Sequence, residues 1–360
     1  MKVLQEIAVL FFKLGLIAFG GPAAHIAMME DEVVTKRQWM SRDHFLDLVG
    51  ATNLIPGPNS TEMAIHCGYH RGGWMGLIIA GVCFILPAVV LTGILAHFYV
   101  LYGTLPAIEP FIYGIRPAVL AIIIAAIIKL GKKALKGWQL AVIGSAVTIG
   151  VIGGFNEIAA ILCGGLIGAV WLNVIDTKGQ GKGVKLLTLS PLFLVFLKIG
   201  AVLFGSGYVL IAYLEGELVE KLGWITQSQL LDAVAIGQFT PGPVLSTATF
   251  IGYQVQGVQG AVLATLGIFL PSFLFVALLN PLVPKMRKSR WLSKFLDAVN
   301  ISAVGVMAGV TISLTMTTVT SWQTGLIALI SILAVILIKK INVLWIVIGG
   351  SGLGYIFSYI

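Results

Sequence analysis

Ten apolar stretches, separated by short polar or charged segments, run the length of the chain. In the first half they lie roughly at 3–22, 74–101, 111–130, 138–154 and 157–173. In the second half they lie roughly at 190–212, 257–283, 297–318, 322–338 and 341–359. About 20 helical residues span the hydrocarbon layer, so each stretch reads as a crossing helix. A weaker, more polar element precedes the second stretch of each half, at about 44–68 and 229–252. Both are interrupted by the same tripeptide, Pro56-Gly57-Pro58 and Pro241-Gly242-Pro243. A broken helix inside a bilayer is tolerated only where its freed backbone groups meet protein, water or a ligand, so each break is a candidate binding site.

The halves are copies. Lys13, Gly15, Phe19, Gly20, Glu30, Glu32, Lys36, Trp39, Asp47 and the tripeptide recur as Lys198, Gly200, Phe204, Gly205, Glu215, Glu217, Lys221, Trp224, Asp232 and the second tripeptide, at a constant shift of 185. Past the tripeptide the shift is 184, and Gly68, Tyr69, Gly73, Gly76 and Pro87 match Gly252, Tyr253, Gly257, Gly260 and Pro271. The boundaries drawn are an N-terminal repeat 1–175, a linker 176–189 built on the polar run Asp176 to Lys185, and a C-terminal repeat 190–360.

Loop charge orients the copies. In copy one an almost uncharged loop (Leu101 to Glu109) is followed by a basic one (Lys129, Lys132, Lys133, Lys136) and one poor in charge (Asn156, Glu157). Copy two reverses this: basic (Lys285, Arg287, Lys288, Arg290, Lys294), uncharged (Thr317 to Gln323), basic (Lys339, Lys340). Basic loops stay cytoplasmic, so the copies are inverted repeats and the linker, with Lys178, Lys182 and Lys185, is cytoplasmic. Inversion needs an odd number of crossings per copy. The Pro-Gly-Pro segment is therefore read as a re-entrant pair of half-helices, giving an all-α polytopic membrane protein of about ten transmembrane helices with both termini outside. The alternative is a proline-kinked full span.

Composition excludes a soluble globule: 58% of residues are hydrophobic, 11% are charged and the mean hydropathy is +0.98. The net charge of +8 fits cytoplasmic loops and is not read as nucleic-acid binding. Cys67, Cys83 and Cys163 are odd in number and lack paired spacing, so they read as packing residues. Met1-Lys2 runs into an apolar segment with no small-residue cleavage site, the pattern of a retained first span.

The breaks have the chemistry of an anion site. Asn59-Ser60-Thr61-Glu62 follows the first, with Asn59 as candidate cap and Glu62 completing a capping-box-like pattern. Thr240 precedes Pro241, a proline suited to a first helical turn, and Ser246 and Thr247 add hydroxyls. Asn53 and Gln238 supply amides just before the breaks. Exposed N–H groups and the helix dipole attract negative charge. Lys13 and Lys198 sit near the middle of the first apolar stretch of their copies, too deep to snorkel, and are followed by Gly20-Gly21-Pro22 and Gly205-Ser206-Gly207. Two cations and two half-helix N-termini suit a divalent oxyanion. Each polar group at the breaks has an alternative role in satisfying the kink itself. Glu62, His66 and His70 share a helical face and could relay protons, bind a metal or pack; no HExxH pattern accompanies them. Arg116 faces the same region in this reading, with Asn300 as its counterpart. No cofactor and no metal site is assigned.

At these residues the chain resembles the chromate ion transporter family. The matching stretches are Phe12-Lys13-Leu14-Gly15, Phe19-Gly20-Gly21-Pro22, Leu54-Ile55-Pro56-Gly57-Pro58-Asn59-Ser60 and Phe84-Ile85-Leu86-Pro87. In copy two they are Phe204-Gly205-Ser206-Gly207-Tyr208, Gly237-Gln238-Phe239-Thr240-Pro241-Gly242-Pro243, Thr249-Phe250-Ile251-Gly252-Tyr253 and Ile268-Phe269-Leu270-Pro271-Ser272. The resemblance implies a two-domain, inner-membrane chromate exporter of bacterial type that confers chromate resistance, with sulfate as competing analogue. The family often carries Gln where this chain has Glu62, which leaves proton coupling open. The expectation is a non-enzymatic secondary transporter working by alternating access. The alternative is a membrane enzyme or accessory subunit gripping an anionic lipid or phosphate. Gly164-Gly165 and Gly349-Gly350 allow close helix packing, with a homodimer among the partners they admit.

Overall fold

The computed structural model describes residues 2–18, 22–52, 55–103, 105, 108–173, 190–204, 209–279, 290–338, 341 and 343–358, and among these every regular element is helical. The first repeat comprises α1 (Lys2–Ile17), α2 (Pro22–Glu30) continued by a π-helical turn Asp31–Lys36, α3 (Arg42–Thr52), α4 (Asn59–Tyr102), α5 (Glu109–Ala134), α6 (Trp138–Ile152) and α7 (Glu157–Asn173). The second comprises α8 (Pro191–Val202), α9 (Leu210–Leu214) continued by a π-helical turn Glu215–Lys221, α10 (Gln227–Phe239), a 3₁₀ turn Val244–Ser246 leading into α11 (Thr247–Leu279), α12 (Arg290–Thr318), α13 (Trp322–Leu337) and α14 (Val343–Phe357). Each element meets its partner at the shift seen in the sequence, including both π turns.

The Pro-Gly-Pro segments are re-entrant. Beyond the first break, α4 runs only to Arg71 before Gly72 and Gly73 (φ +61°) reverse it. A Cβ on Gly68 would collide with the Gly76 carbonyl, so the two legs fold tightly on one another. The returning leg ends where α3 began: the rings of His44 and His70 are 4.8 Å apart, and His70 Nε2 is 3.2 Å from the Trp39 carbonyl. At 1.5 Å per residue a straight or kinked span would hold residues 44 and 70 roughly 35–40 Å apart. Copy two repeats the device, with the reversal at Gln256 and Gly257 (φ +59°). There, Asp232 on the ingoing α10 and Phe250 on the returning leg both touch Tyr99.

The first apolar stretch departs from expectation. Read as a crossing at 3–22, it ends as a helix at Ile17, and a new helix starting at Pro22 carries the chain back. Glu6 accepts from Trp39 Nε1 at 3.2 Å and Lys13 lies 3.7 Å from Glu32, so α1 and the α2–π segment are antiparallel neighbours. The start of α1 consequently lies beside Arg37 and Arg71 and not on the face opposite the basic loops. Pro22 favours the new start, since proline has no N–H to continue α1 and is well placed to begin the next helix. Four described helices are long and apolar enough to cross by themselves: Asn59–Tyr102, Glu109–Ala134, Val244–Leu278 and Asp297–Thr318.

Inversion is visible in the packing of α4 on α11. Leu77, early in the second leg of α4, shares a cluster with Val276 near the end of α11, while His97, late in α4, lies 2.7 Å from the Tyr253 hydroxyl, just before the reversal of α11. The long legs are therefore antiparallel. One face carries Lys36, Arg37, Arg42, Arg71 and the Lys132–Lys136 end of α5, which Lys136 joins to Asp297 of α12 at 2.7 Å. The other carries Glu157, Glu215, Glu217 and Glu220.

The last helices of each repeat are exchanged. α5 packs on α13 and α14 of the other repeat, and α12 packs on α6 and α7. Small residues allow the approach: Gly114 abuts Gly350 and Gly354, Gly144 abuts Gly305, and Thr148 Oγ1 donates to the Gly305 carbonyl at 3.0 Å. Gly164 and Gly165 are occupied in the same way against Ser302 and Val299, so this pair serves packing within the chain.

Candidate functional site

Each break is sealed by the opposite copy. The Gly57 N–H donates to the Leu203 carbonyl at 2.7 Å, and the Gly242 N–H donates to the Ala18 carbonyl at 2.9 Å. Gly57 and Gly242 are repeat mates, and so are Ala18 and Leu203. The ends of α1 and α8 thus seal the opposite copy's Pro-Gly-Pro turn, with Gly242 against Ala88 on the second leg of α4 and Gly57 against Ser272, the repeat mate of Ala88, on α11. Both glycines have positive φ, +142° and +90°, which the turn requires and other residues resist.

Around these turns the structure gathers buried polar side chains that an apolar interior would not hold without purpose: Ser60, Thr61, Glu62, Thr92, Thr240, Ser246, Thr247 and Ser272 are each at most 4% exposed. On the copy-two side they form a chain of hydroxyls, with Thr92 Oγ1 3.3 Å and Ser246 Oγ 3.4 Å from Thr240 Oγ1. On the copy-one side Glu62 is fully buried, and among the described residues neither carboxyl oxygen has a hydrogen-bond partner, nor do Thr61 Oγ1 and Ser272 Oγ. The Glu62 carboxyl and Ser272 Oγ both point at Gly57, occupying the space a Cβ would take there. At the equivalent places of copy two stand Ser246 and Ala88.

Local capping differs from the sequence reading. Pro58, not Asn59, precedes the first turn of α4, with no side-chain cap, so Glu62 is free of the capping box and turns toward Gly57. In copy two Thr240 closes α10, and it is Pro243, not Pro241, that precedes the 3₁₀ turn. Proline's fixed φ suits the position before the turn, while Gly242 absorbs the reversal. Gln238 stands one turn before the break with its amide Nε2 buried and unpartnered among the described residues. Gly20, Gly21, Asn53, Gly205, Ser206 and Gly207 lie outside the described residues.

Lys13 and Lys198 are not isolated cations. Lys13 lies 3.7 Å from Glu32, which also holds Lys36 and Arg37. Lys198 pairs with Glu217, which also holds Lys221 at 3.5 Å. The triads Lys13–Glu32–Lys36 and Lys198–Glu217–Lys221 are superposable by the repeat, and each glutamate belongs to a π turn, a feature frequent at functional sites. Each cluster keeps net positive charge, and the Lys13 and Lys198 side chains are 57% and 45% exposed. Sequence reasoning found the lysines but missed their partners, although Glu32 and Glu217 stood in the repeat alignment.

The remaining candidates separate. His66 is buried one turn after Glu62, while His70 sits at the reversal against His44, away from the break. No group of three His, Cys, Asp or Glu side chains with metal-binding geometry occurs among the described residues, and the three cysteines are free. Arg116 is engaged: its Nε and a terminal N–H donate to the two oxygens of Asp232, each at 2.9 Å.

Inverted helical repeats whose broken segments are each sealed by the opposite copy define a polytopic transmembrane transporter. The chain belongs to the chromate transporter family, whose model matches residues 5–169 and again 190–355. It is 31% identical to a probable chromate transport protein of Synechococcus elongatus, covering 92% of this chain and 89% of that one. It is likewise 31% identical to a chromate transport protein of Cupriavidus metallidurans, covering 98% and 93%. An uncharacterized transporter of Bacillus subtilis is 28% identical over 165 residues, 44% of this chain but 93% of its own, so a single repeat can constitute a whole chain. No solved structure matches.

Proposed function

We propose that this protein exports chromate across the inner membrane by alternating access, conferring chromate resistance, with sulfate competing for the same site. The observation that carries the reading is the pair of repeat-related hydrogen bonds from Gly57 and Gly242, which ties each broken segment to the opposite repeat. The oxyanion is held there by Ser60, Thr240, Ser246, Thr247 and Gln238, with the backbone of Pro56-Gly57-Pro58-Asn59 and Pro241-Gly242-Pro243; Asn53, Gly20, Gly21, Gly205, Ser206 and Gly207 are the further candidates from the sequence and lie outside the described residues. Lys13 and Lys198 are the approach on either side. Each shares its ammonium with a glutamate, so a dianion gains them by displacing a carboxylate in place of stripping a fully hydrated charge. Lysine holds a tetrahedral anion as a point charge without a rigid fork, which favours release. Outward movement of a dianion is favoured by an inside-negative potential.

Glu62 adds a proton to this cycle. A fully buried carboxyl with no hydrogen-bond partner among the described residues is tolerated in its neutral form, and a carboxylate there would repel the substrate. His66, one turn away, is the group through which the proton is passed. The deciding experiment is chromate accumulation in inside-out vesicles, with excess sulfate as competitor. Energised uptake that sulfate inhibits, and that falls at least tenfold in Lys198→Gln, supports the reading; no uptake by correctly inserted protein refutes it. Glu62→Gln is expected to transport with its pH dependence flattened, and an unchanged pH profile removes Glu62 from the cycle.

A further inference from the structure

We propose that Arg116, Tyr99 and Asp232 form a latch that holds the acidic face of the transporter shut. Asp232, on the ingoing half-helix α10, is 3% exposed and accepts three hydrogen bonds. Two come from Arg116 as a fork at 2.9 Å each, and the third from the Tyr99 hydroxyl at 2.6 Å. Arg116 and Tyr99 belong to the first repeat and Asp232 to the second, so the cluster ties the repeats together. The returning half-helix is gripped from the same place: the Tyr99 ring lies 5.2 Å from Phe250, and His97 Nδ1 lies 2.7 Å from the Tyr253 hydroxyl. Both legs of the second re-entrant segment are thus bound to α4 and α5 between the break and the acidic face.

The first re-entrant segment meets the far end of α11 through apolar side chains, with Ile55, Ile65 and Tyr69 against Phe273, Phe275 and Val276. An apolar contact can slide and re-form, since it has no direction. A bidentate carboxylate–guanidinium pair cannot part without leaving a buried charge uncompensated. In an inverted-repeat transporter, opening a face means moving that face's re-entrant segment away from the other repeat. The state described here is the one with the acidic face locked. Arg116 and Tyr99 act through the segment they hold and are positioning residues.

This inference rests on the transport reading, but its test does not need a substrate. In full-length protein with Cys67, Cys83 and Cys163 replaced by serine, a single reporter is introduced as Ser246→Cys. It is labelled with a membrane-impermeant thiol reagent applied to either face of oriented vesicles. Asp232→Asn, which keeps the shape and removes the charge, is expected to speed labelling from the acidic face at least tenfold and to leave the rate from the basic face within twofold. The exchanged pair Arg116→Asp with Asp232→Arg is expected to restore slow labelling. Unchanged labelling in Asp232→Asn, or an equal rise from both faces, overturns the latch. Chromate uptake by vesicles holding the protein with Ser246 and Asp232 intact separates the two readings: asymmetric labelling of the reporter without uptake by that protein retains the latch and refutes the substrate assignment.

Discussion

Glu62 and Ser246 occupy equivalent places in the two breaks, yet only Glu62 can carry a proton, and its carboxyl fills the space over Gly57. That contact makes Gly57 the less replaceable of the two glycines. Gly57→Ala at φ +142° would drive a methyl into Glu62 and to within 2.6 Å of Ser272 Oγ, whereas Gly242→Ala at φ +90° meets Ala88 Cβ at 2.9 Å. Gly57→Ala is expected to destabilise by about 1–3 kcal/mol, the larger loss of the two, and thermal unfolding in detergent would read the difference. The lysines differ in the same local way. Glu32 keeps Lys36 and Arg37 when Lys13 is removed, but Glu217 keeps only Lys221 when Lys198 is removed. Lys198→Gln is therefore expected to lower transport more than Lys13→Gln, measured as initial uptake rate at equal protein insertion. At this scale the sequence showed the residue types, since Lys, Glu, Gly and Pro in fixed register need no fold to be seen. It did not show which lysine meets which glutamate, because the π turns that bring Glu32 and Glu217 round are set by packing against α1 and α8.

The elements were legible where a covalent signal marks them. Pro-Gly-Pro announces a break, and Gly72-Gly73 with its mate at Gly257 permits a reversal that residues with a Cβ resist. Whether the broken segment returns or continues is a matter of distance, and the contact of His44 with His70 answers it. Cysteines placed at these two positions in a background lacking Cys67, Cys83 and Cys163 are expected to form a cross-link under mild oxidation. A kinked span would give none, its ends lying on opposite faces. The first apolar stretch, expected as one helix over 3–22, ends as a helix at Ile17, because hydropathy counts apolar residues without seeing where a helix stops.

Across the whole molecule the repeats are interlocked. Since α5 packs on α13 and α14, and α12 on α6 and α7, each repeat leaves a helix-binding surface open until the other arrives. Residues 1–175 and 190–360 produced as separate chains in one membrane are expected to copurify, and each alone to be degraded. Stable isolated halves that do not associate would contradict the exchange. The half-length relative fits the expectation that the repeat is a natural unit of assembly.

The sequence by itself determined the duplication, the membrane class, the inverted sense of the copies and the location of the breaks, because repeats, hydropathy and loop charge are properties of the chain and of its solvent. The tertiary structure alone decided that Ala18 seals Gly242 and Leu203 seals Gly57, that Arg116 is spent on Asp232, and that the last helices change partners. These are contacts between residues far apart in the chain, chosen by shape and by the need of each buried polar group for a partner. A repeated pattern constrains what each copy contains and leaves open which copy it touches.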